Sequence, residues 1–306
     1  MTKVKTFLIL ANVFLINTSP GPITNTHGNH LIQSATKASK TDIKTIRKMK
    51  GRTFDASENY NQAFKMAAQE GNLETVKALL KDKRIDPSVN DNQPLRFAAL
   101  QGHSDIVKAL LNDPRVDPRA GDNYAIKWAA HKGHKDVVKV LLQDKRVNPS
   151  AEDNDAIKMA AERGHTEVVE LLLNHGNVNP SAERQYAFQR AVSNGHAEAV
   201  TVLLKDHRID PGAYDNRAIK IAAEYGHKDV VQALMKDKRV NPSAEDNYAI
   251  QEAAANGHTE TVKALLKDRR VDPTADDNYA LKAAAENGHK DVVKALQSRA
   301  ESYYAV

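Results

Sequence analysis

The sequence predicts an all-α solenoid of stacked helix-turn-helix units joined by short loops. Three observations carry that expectation. Gly71, Gly102, Gly133, Gly164, Gly195, Gly226, Gly257 and Gly288 stand 31 residues apart without a slip. Pro87, Pro118, Pro149, Pro180, Pro211, Pro242 and Pro273 run in step with them. Within each period the apolar residues fall twice at helical spacing, once on each side of the glycine. A period of this length marks an array in which each unit packs only on its neighbours, so 306 residues need not mean two globular cores.

Residues 1–17 open with Lys3 and Lys5, run apolar from Phe7 to Ile16 with one break at Asn12, and leave through Asn17-Thr18-Ser19-Pro20-Gly21. A basic start, a short apolar stretch and a polar exit have the form of a secretory signal peptide. The alternative is an apolar segment that packs on the array. The run is too short to span a bilayer, which needs about 20 residues. The expected location is therefore extracellular if the segment is a signal and cytoplasmic if it is not. Residues 18–41, rich in Thr, Ser, Asn, Gly and His, read as a disordered linker. Residues 42–56 place Ile43, Ile46 and Met49 at helical spacing, and Phe54-Asp55-Ala56-Ser57 aligns with Ile85-Asp86-Pro87-Ser88 one period later. They read as a degenerate cap, made basic by Lys44, Arg47, Lys48, Lys50 and Arg52. Residues 57–306 hold eight repeats and a C-terminal cap.

The unit 122–152 shows the physics of one repeat. Ala125, Ile126, Ala129 and Ala130 form one stripe of a first helix, with Asp122 or Asn123 placed to cap its N-terminus. Gly133 suits a left-handed exit. Val137, Val138, Leu141 and Leu142 repeat the stripe on a second helix. An acid recurs in that helix's first turn, from Glu74 to Asp291, where it favours the positive end of the helix dipole. Val147 anchors the following loop and Pro149 bends it. Helices of two or three turns are marginal alone. Burial of their stripes must come from stacking.

The motif Ala-Ala-x-x-Gly-His-x-(Asp/Glu)-Val-Val-x-x-Leu-Leu, as at Ala129–Leu142 and in the stretch Ala222–Leu234, resembles the ankyrin repeat. The stretch Asn174-His175-Gly176-Asn177-Val178-Asn179 is similar to that family's usual loop. The resemblance covers about residues 42–306 and implies a concave groove, lined by first helices and loops, that binds proteins. It also implies a structural role for the histidine after each glycine. The period falls short of the family's usual 33, with the shortening in the loops. Tyr-Ala-Ile-Lys at Tyr124–Lys127 replaces the family's Thr-Pro-Leu-His. The family's β-hairpin is therefore expected to shrink to a plain turn. Gln297 replaces the second leucine of the last repeat, and Ser298 to Val306 lack the Arg-Val-Asn-Pro loop, as suits an exposed end.

Composition narrows the chemistry. The chain has no cysteine, which excludes disulfides, thiolate metal sites and a cysteine nucleophile. The net charge of +5 is uneven. Residues 1–56 carry nine Lys/Arg against two acids, and residues 57–306 carry 35 against 37. The array is nearly neutral, and the basic excess argues little for nucleic-acid binding by it. Histidines at 103, 134, 165, 196, 227, 258 and 289 form a ladder. Packed helices lie about 8–10 Å apart, too far for adjacent rungs to share an ion held by bonds of about 2 Å. No nucleotide-binding, zinc-protease or nucleophile-elbow motif occurs. The expectation is a non-enzymatic protein with no cofactor, no metal, no small-molecule substrate and no transmembrane segment. It is expected to be monomeric and to act as a scaffold for one or more partner proteins.

Three rows vary while the frame holds. The row after the cap includes Tyr124, Tyr186, Tyr248 and Tyr279; the mid-helix row includes Trp128 and Arg190; the row before the glycine includes Lys132, Arg163 and Tyr225. These nine are the candidate partner-binding residues, since Tyr, Trp and Arg dominate interface energetics. Half-buried packing is the plainer alternative for Trp128. Lys65, Arg96, Lys127, Lys158, Lys220 and Lys282 form a further row expected to be solvated surface. Export as an effector acting on another cell's proteins is an alternative function. Attachment to anionic lipid or nucleic acid through the basic segment near residues 37–52 is another.

Overall fold

The structure, a computed structural model, describes residues 56–304. The expected signal peptide, the linker and all but the last residue of the 42–56 cap lie outside the described residues. Among those residues are sixteen helices and no strand. The first helices of the eight repeats are α1 (Ala56–Glu70), α3 (Val89–Gln101), α5 (Ala120–Lys132), α7 (Ala151–Glu162), α9 (Ala182–Ser193), α11 (Ala213–Glu224), α13 (Ala244–Ala255) and α15 (Ala275–Glu286). The second helices are α2 (Leu73–Leu80), α4 (Ser104–Leu111), α6 (Lys135–Leu142), α8 (Thr166–Leu173), α10 (Ala197–Leu204), α12 (Lys228–Met235), α14 (Thr259–Leu265) and α16 (Lys290–Tyr304). The predicted solenoid of stacked pairs is the observed fold.

Each first helix ends as predicted. Gly133 sits at φ 74°, and two bonds close the turn: the His134 N–H donates to the Ala129 carbonyl at 2.9 Å and the Gly133 N–H to Ala130 at 3.2 Å. These are the paired bonds of a Schellman exit. His134 then occupies the N-cap position of α6, and Asp136 lies in its first turn. Ala125, Ile126, Ala129, Ala130, Val137, Val138 and Leu141 are buried, while Leu142 is half-buried against them. One apolar cluster runs from Ala63 to Leu296, each layer shared by adjacent repeats.

The entry to the first helix differs from the expected cap. Gly121, Asp122 and Asn123 are all left-handed, at φ 58°, 53° and 60°. The same run recurs at Asn90–Asn92, Glu152–Asn154, Glu183–Gln185, Tyr214–Asn216, Glu245–Asn247 and Asp276–Asn278. A left-handed residue costs an L-amino acid roughly 1–2 kcal/mol, least for Asn and Asp, and those two fill most of these places. Neither Asp122 nor Asn123 caps α5 with its side chain. Asn123 Oδ1 instead accepts the Asn148 N–H of the next loop at 2.8 Å. Asn61, Asn92, Asn154, Asn216 and Asn247 do the same for Asp86, Asp117, Asn179, Asn241 and Asp272. A single left-handed turn, bolted to the following repeat, stands where a hairpin would project.

Along the stack, first helices pack on first helices and second helices on second helices. The approach of α9 to α11 is looser than at the other first-helix junctions. There Val192 replaces the second alanine of the buried pair and Phe188 replaces the isoleucine found at positions 126, 157, 219 and 250.

Candidate functional site

The exposed side of the first helices is the face on which the family resemblance places the groove, the inner surface of the array. The three variable rows meet there as one stripe per helix, at i, i+4 and i+8. In α5 the stripe is Tyr124, Trp128 and Lys132. The Tyr124 and Trp128 rings lie 5.5 Å apart, and the His131 ring meets Trp128 edge-on at 5.0 Å. Arg96, from the preceding repeat, sits 5.2 Å over Tyr124. Tyr124 and Trp128 are half-buried and Lys132 is exposed. Burial, with Arg163 and Lys132 beside it, holds the His131 imidazolium below its ordinary range.

In α9 the stripe joins Tyr186 to Arg190, whose guanidinium lies 5.6 Å from the ring centroid and 3.1 Å from the Glu162 carboxylate. Arg163, just beyond Glu162, is exposed. Tyr225, next to the glycine after α11, is 56% exposed, with the His227 ring 6.0 Å away. Tyr248 and Tyr279 begin α13 and α15 at 39% and 45% exposure. A hydrogen bond to Glu252 raises the Tyr248 hydroxyl above its usual pKa. Thus Tyr124 joins Trp128 and Tyr186 joins Arg190, whereas Tyr225, Tyr248 and Tyr279 stand apart on successive helices.

The lysine row, expected to be solvated, is instead partly built into the frame. Lys127 and Lys158 are buried. Lys127 pairs with Glu152, Lys158 with Asp155 at 2.8 Å and Glu183 at 3.2 Å, and Lys220 with Glu245 at 2.7 Å. Each glutamate is the first residue of the next left-handed turn. A ring joins two of these pairs, with Lys158 Nζ 5.9 Å from Tyr186 and Lys220 Nζ 5.8 Å from Tyr248. The signal was present in the sequence: glutamate follows lysine by 25 residues at these three junctions, and at none of the junctions that lack the lysine.

The histidine ladder is likewise structural. Each Nε2–H donates back to a carbonyl 34 residues earlier, from His103 to Gln69 at 2.9 Å through His289 to Ala255 at 3.0 Å. Each ring also lies on the preceding glycine. A Cβ on Gly133 would come within 2.6 Å of His165, and one on Gly164 within 2.5 Å of His196. Asn72 replaces the histidine in the first repeat and caps α2 through the Thr75 N–H. Among the described residues no cluster of His, Asp and Glu is arranged to hold a metal. No helix among them is long and apolar enough to cross a membrane.

A family model described as ankyrin repeats (3 copies) matches residues 31–122, 64–153, 95–182, 126–215, 159–246 and 219–304. No curated protein matches the chain.

Proposed function

Because the chain belongs to the ankyrin-repeat family, whose arrays are protein-interaction modules and typically non-enzymatic, we propose that it is a non-catalytic scaffold that binds a partner protein on its inner surface, the exposed face of the first helices. The observation that supports this reading is the stripe of variable residues over a nearly constant frame. Glycine, histidine, buried alanine and loop proline are accounted for by packing. The candidate tyrosines, Trp128 and Arg190 lie instead on the open face, which is rich in the residue types that carry interface energy. Rings held by neighbouring cations lose little freedom on binding, which lowers the cost of association.

Affinity purification from the native source, read by mass spectrometry, identifies the partner. Replacing Tyr124, Trp128 and Tyr186 together by alanine is expected to weaken that complex at least about tenfold, as hot-spot truncation does, with the helical circular-dichroism signal unchanged. An unaltered dissociation constant for the triple variant would sink the inner surface as the site.

A further inference from the structure

The array carries its own template for a ligand. At two junctions it builds the same cation site from three parts: a lysine on one first helix, the glutamate that opens the next left-handed turn, and the tyrosine three residues after it. Lys158, Glu183 and Tyr186 form one, with distances of 3.2 and 5.9 Å from the ammonium to the carboxylate and ring, and Asp155 adds a second carboxylate at 2.8 Å. Lys220, Glu245 and Tyr248 form the other, at 2.7 and 5.8 Å. One period further on, the carboxylate and the ring recur as Asp276 and Tyr279, both exposed, but the lysine does not. Gln251 stands in its place, buried, with its Nε2 donating to the Asp246 carbonyl at 2.8 Å. Lys282, one turn along α15, makes neither an ion pair with Asp276 nor a ring contact with Tyr279 among the described residues. The anionic surroundings persist, with Asp277 and Glu286 exposed on the same element.

We propose that the seventh–eighth junction takes a lysine or arginine side chain from a basic segment of the partner protein, seated between Asp276 and Tyr279 as Lys158 and Lys220 sit at their own junctions. The proposal rests on the reading of the inner surface as the binding face, and names the chemistry that one end of it recognises. Carboxylate and ring attract the same cation, by ion pairing and by the ring's quadrupole.

The test is titration of the full chain with a fluorescent oligolysine peptide, followed by anisotropy at low salt. Gln251→Lys supplies the missing cation and is expected to weaken binding about fivefold, the combined worth of one exposed ion pair and one cation–ring contact. Gln297→Lys adds the same charge on α16, a second helix, and is expected to change affinity far less. Lys220→Gln empties the preceding site and is expected to strengthen binding. Equal weakening by Gln251→Lys and Gln297→Lys would reduce the effect to bulk charge and overturn the proposal, as would no gain from Lys220→Gln. Thermal melts of each variant confirm a folded array. Failure here leaves the Tyr124, Trp128 and Tyr186 result standing. Failure of that triple variant leaves the oligolysine series intact, so the two readings fail separately.

Discussion

The glycine after each first helix answers two demands at once, and its neighbours separate them. Gly133 and Gly288 share a left-handed backbone, at φ 74° and 78°. Gly133 is covered by the His165 ring, whereas nothing lies within 4 Å of a Cβ placed on Gly288. Gly288→Ala should therefore cost only the backbone term, about 1–2 kcal/mol. Gly133→Ala should cost distinctly more, because His165 must leave both the glycine and the His131 carbonyl it bonds at 2.9 Å. Urea denaturation of the two variants makes the comparison, and equal losses would remove the ring from the account. The recurrence of glycine and the position of its turn were legible in the sequence. The ring that covers it was not, because glycine and histidine are 32 residues apart and meet only through stacking.

At the scale of the helix pair, burial and loop chemistry share the work. Leu141 is fully buried in α6, and Leu141→Ala is expected to lower stability by roughly 2–5 kcal/mol in the same denaturation assay. The loop after α6 is held by Arg146. It bonds Asp144 at 3.0 Å through Nε and 2.6 Å through Nη2, and reaches back to the Val116 carbonyl at 2.8 Å through Nη1. Arg115, Arg208, Arg239 and Arg270 repeat the arrangement. Hydrogen bonding from these arginines holds Asp113, Asp144, Asp206, Asp237 and Asp268 below the ordinary carboxylate range. A depressed folded pKa means stability that is fully present above the unfolded value near pH 4 and is lost as pH falls through the folded one. The loss caused by Arg146→Ala should thus be constant from pH 5 to 8 and shrink below pH 4. Urea midpoints across that range check it, and a gap that widened in acid would contradict the assignment. Helices, turns and buried stripes were readable here from period and glycine placement. The left-handed turn was not. Asp and Asn before a helix signal a cap, and only the neighbouring repeat, which uses Asn123 as an acceptor for its own backbone, makes the other conformation favourable.

Over the whole array, stability is a sum across junctions, and the junctions are unequal. Between the fifth and sixth repeats the first helices are in looser contact, and the lysine–glutamate clip is missing, with Gln189 and Tyr214 in its two places. The histidine bond from His227 to the Ser193 carbonyl and the Asp210–Gln185 bonds persist. Repeats one to five and six to eight should therefore exchange amide hydrogens as two blocks, with a step in protection between Ser193 and Ala213. Native-state hydrogen exchange read by mass spectrometry tests this, and a smooth profile would show that the remaining bonds suffice to couple the blocks. The looseness was not legible in the sequence, because it belongs to a pair of helices and not to either one.

The histidine ladder gives the stack a direction. Every rung reaches backward, so each repeat offers a socket, its glycine and carbonyl, to the unit after it and a plug, its histidine, to the unit before. The first repeat carries no plug and Gly288 leaves its socket uncovered. Removing or duplicating any complete internal period therefore leaves every remaining plug matched to a socket. Gain or loss of a fraction of a period does not. As far as this ladder is concerned, the chain can change length in whole repeats without repair of the join, and a 31-residue step keeps its plugs and sockets in register.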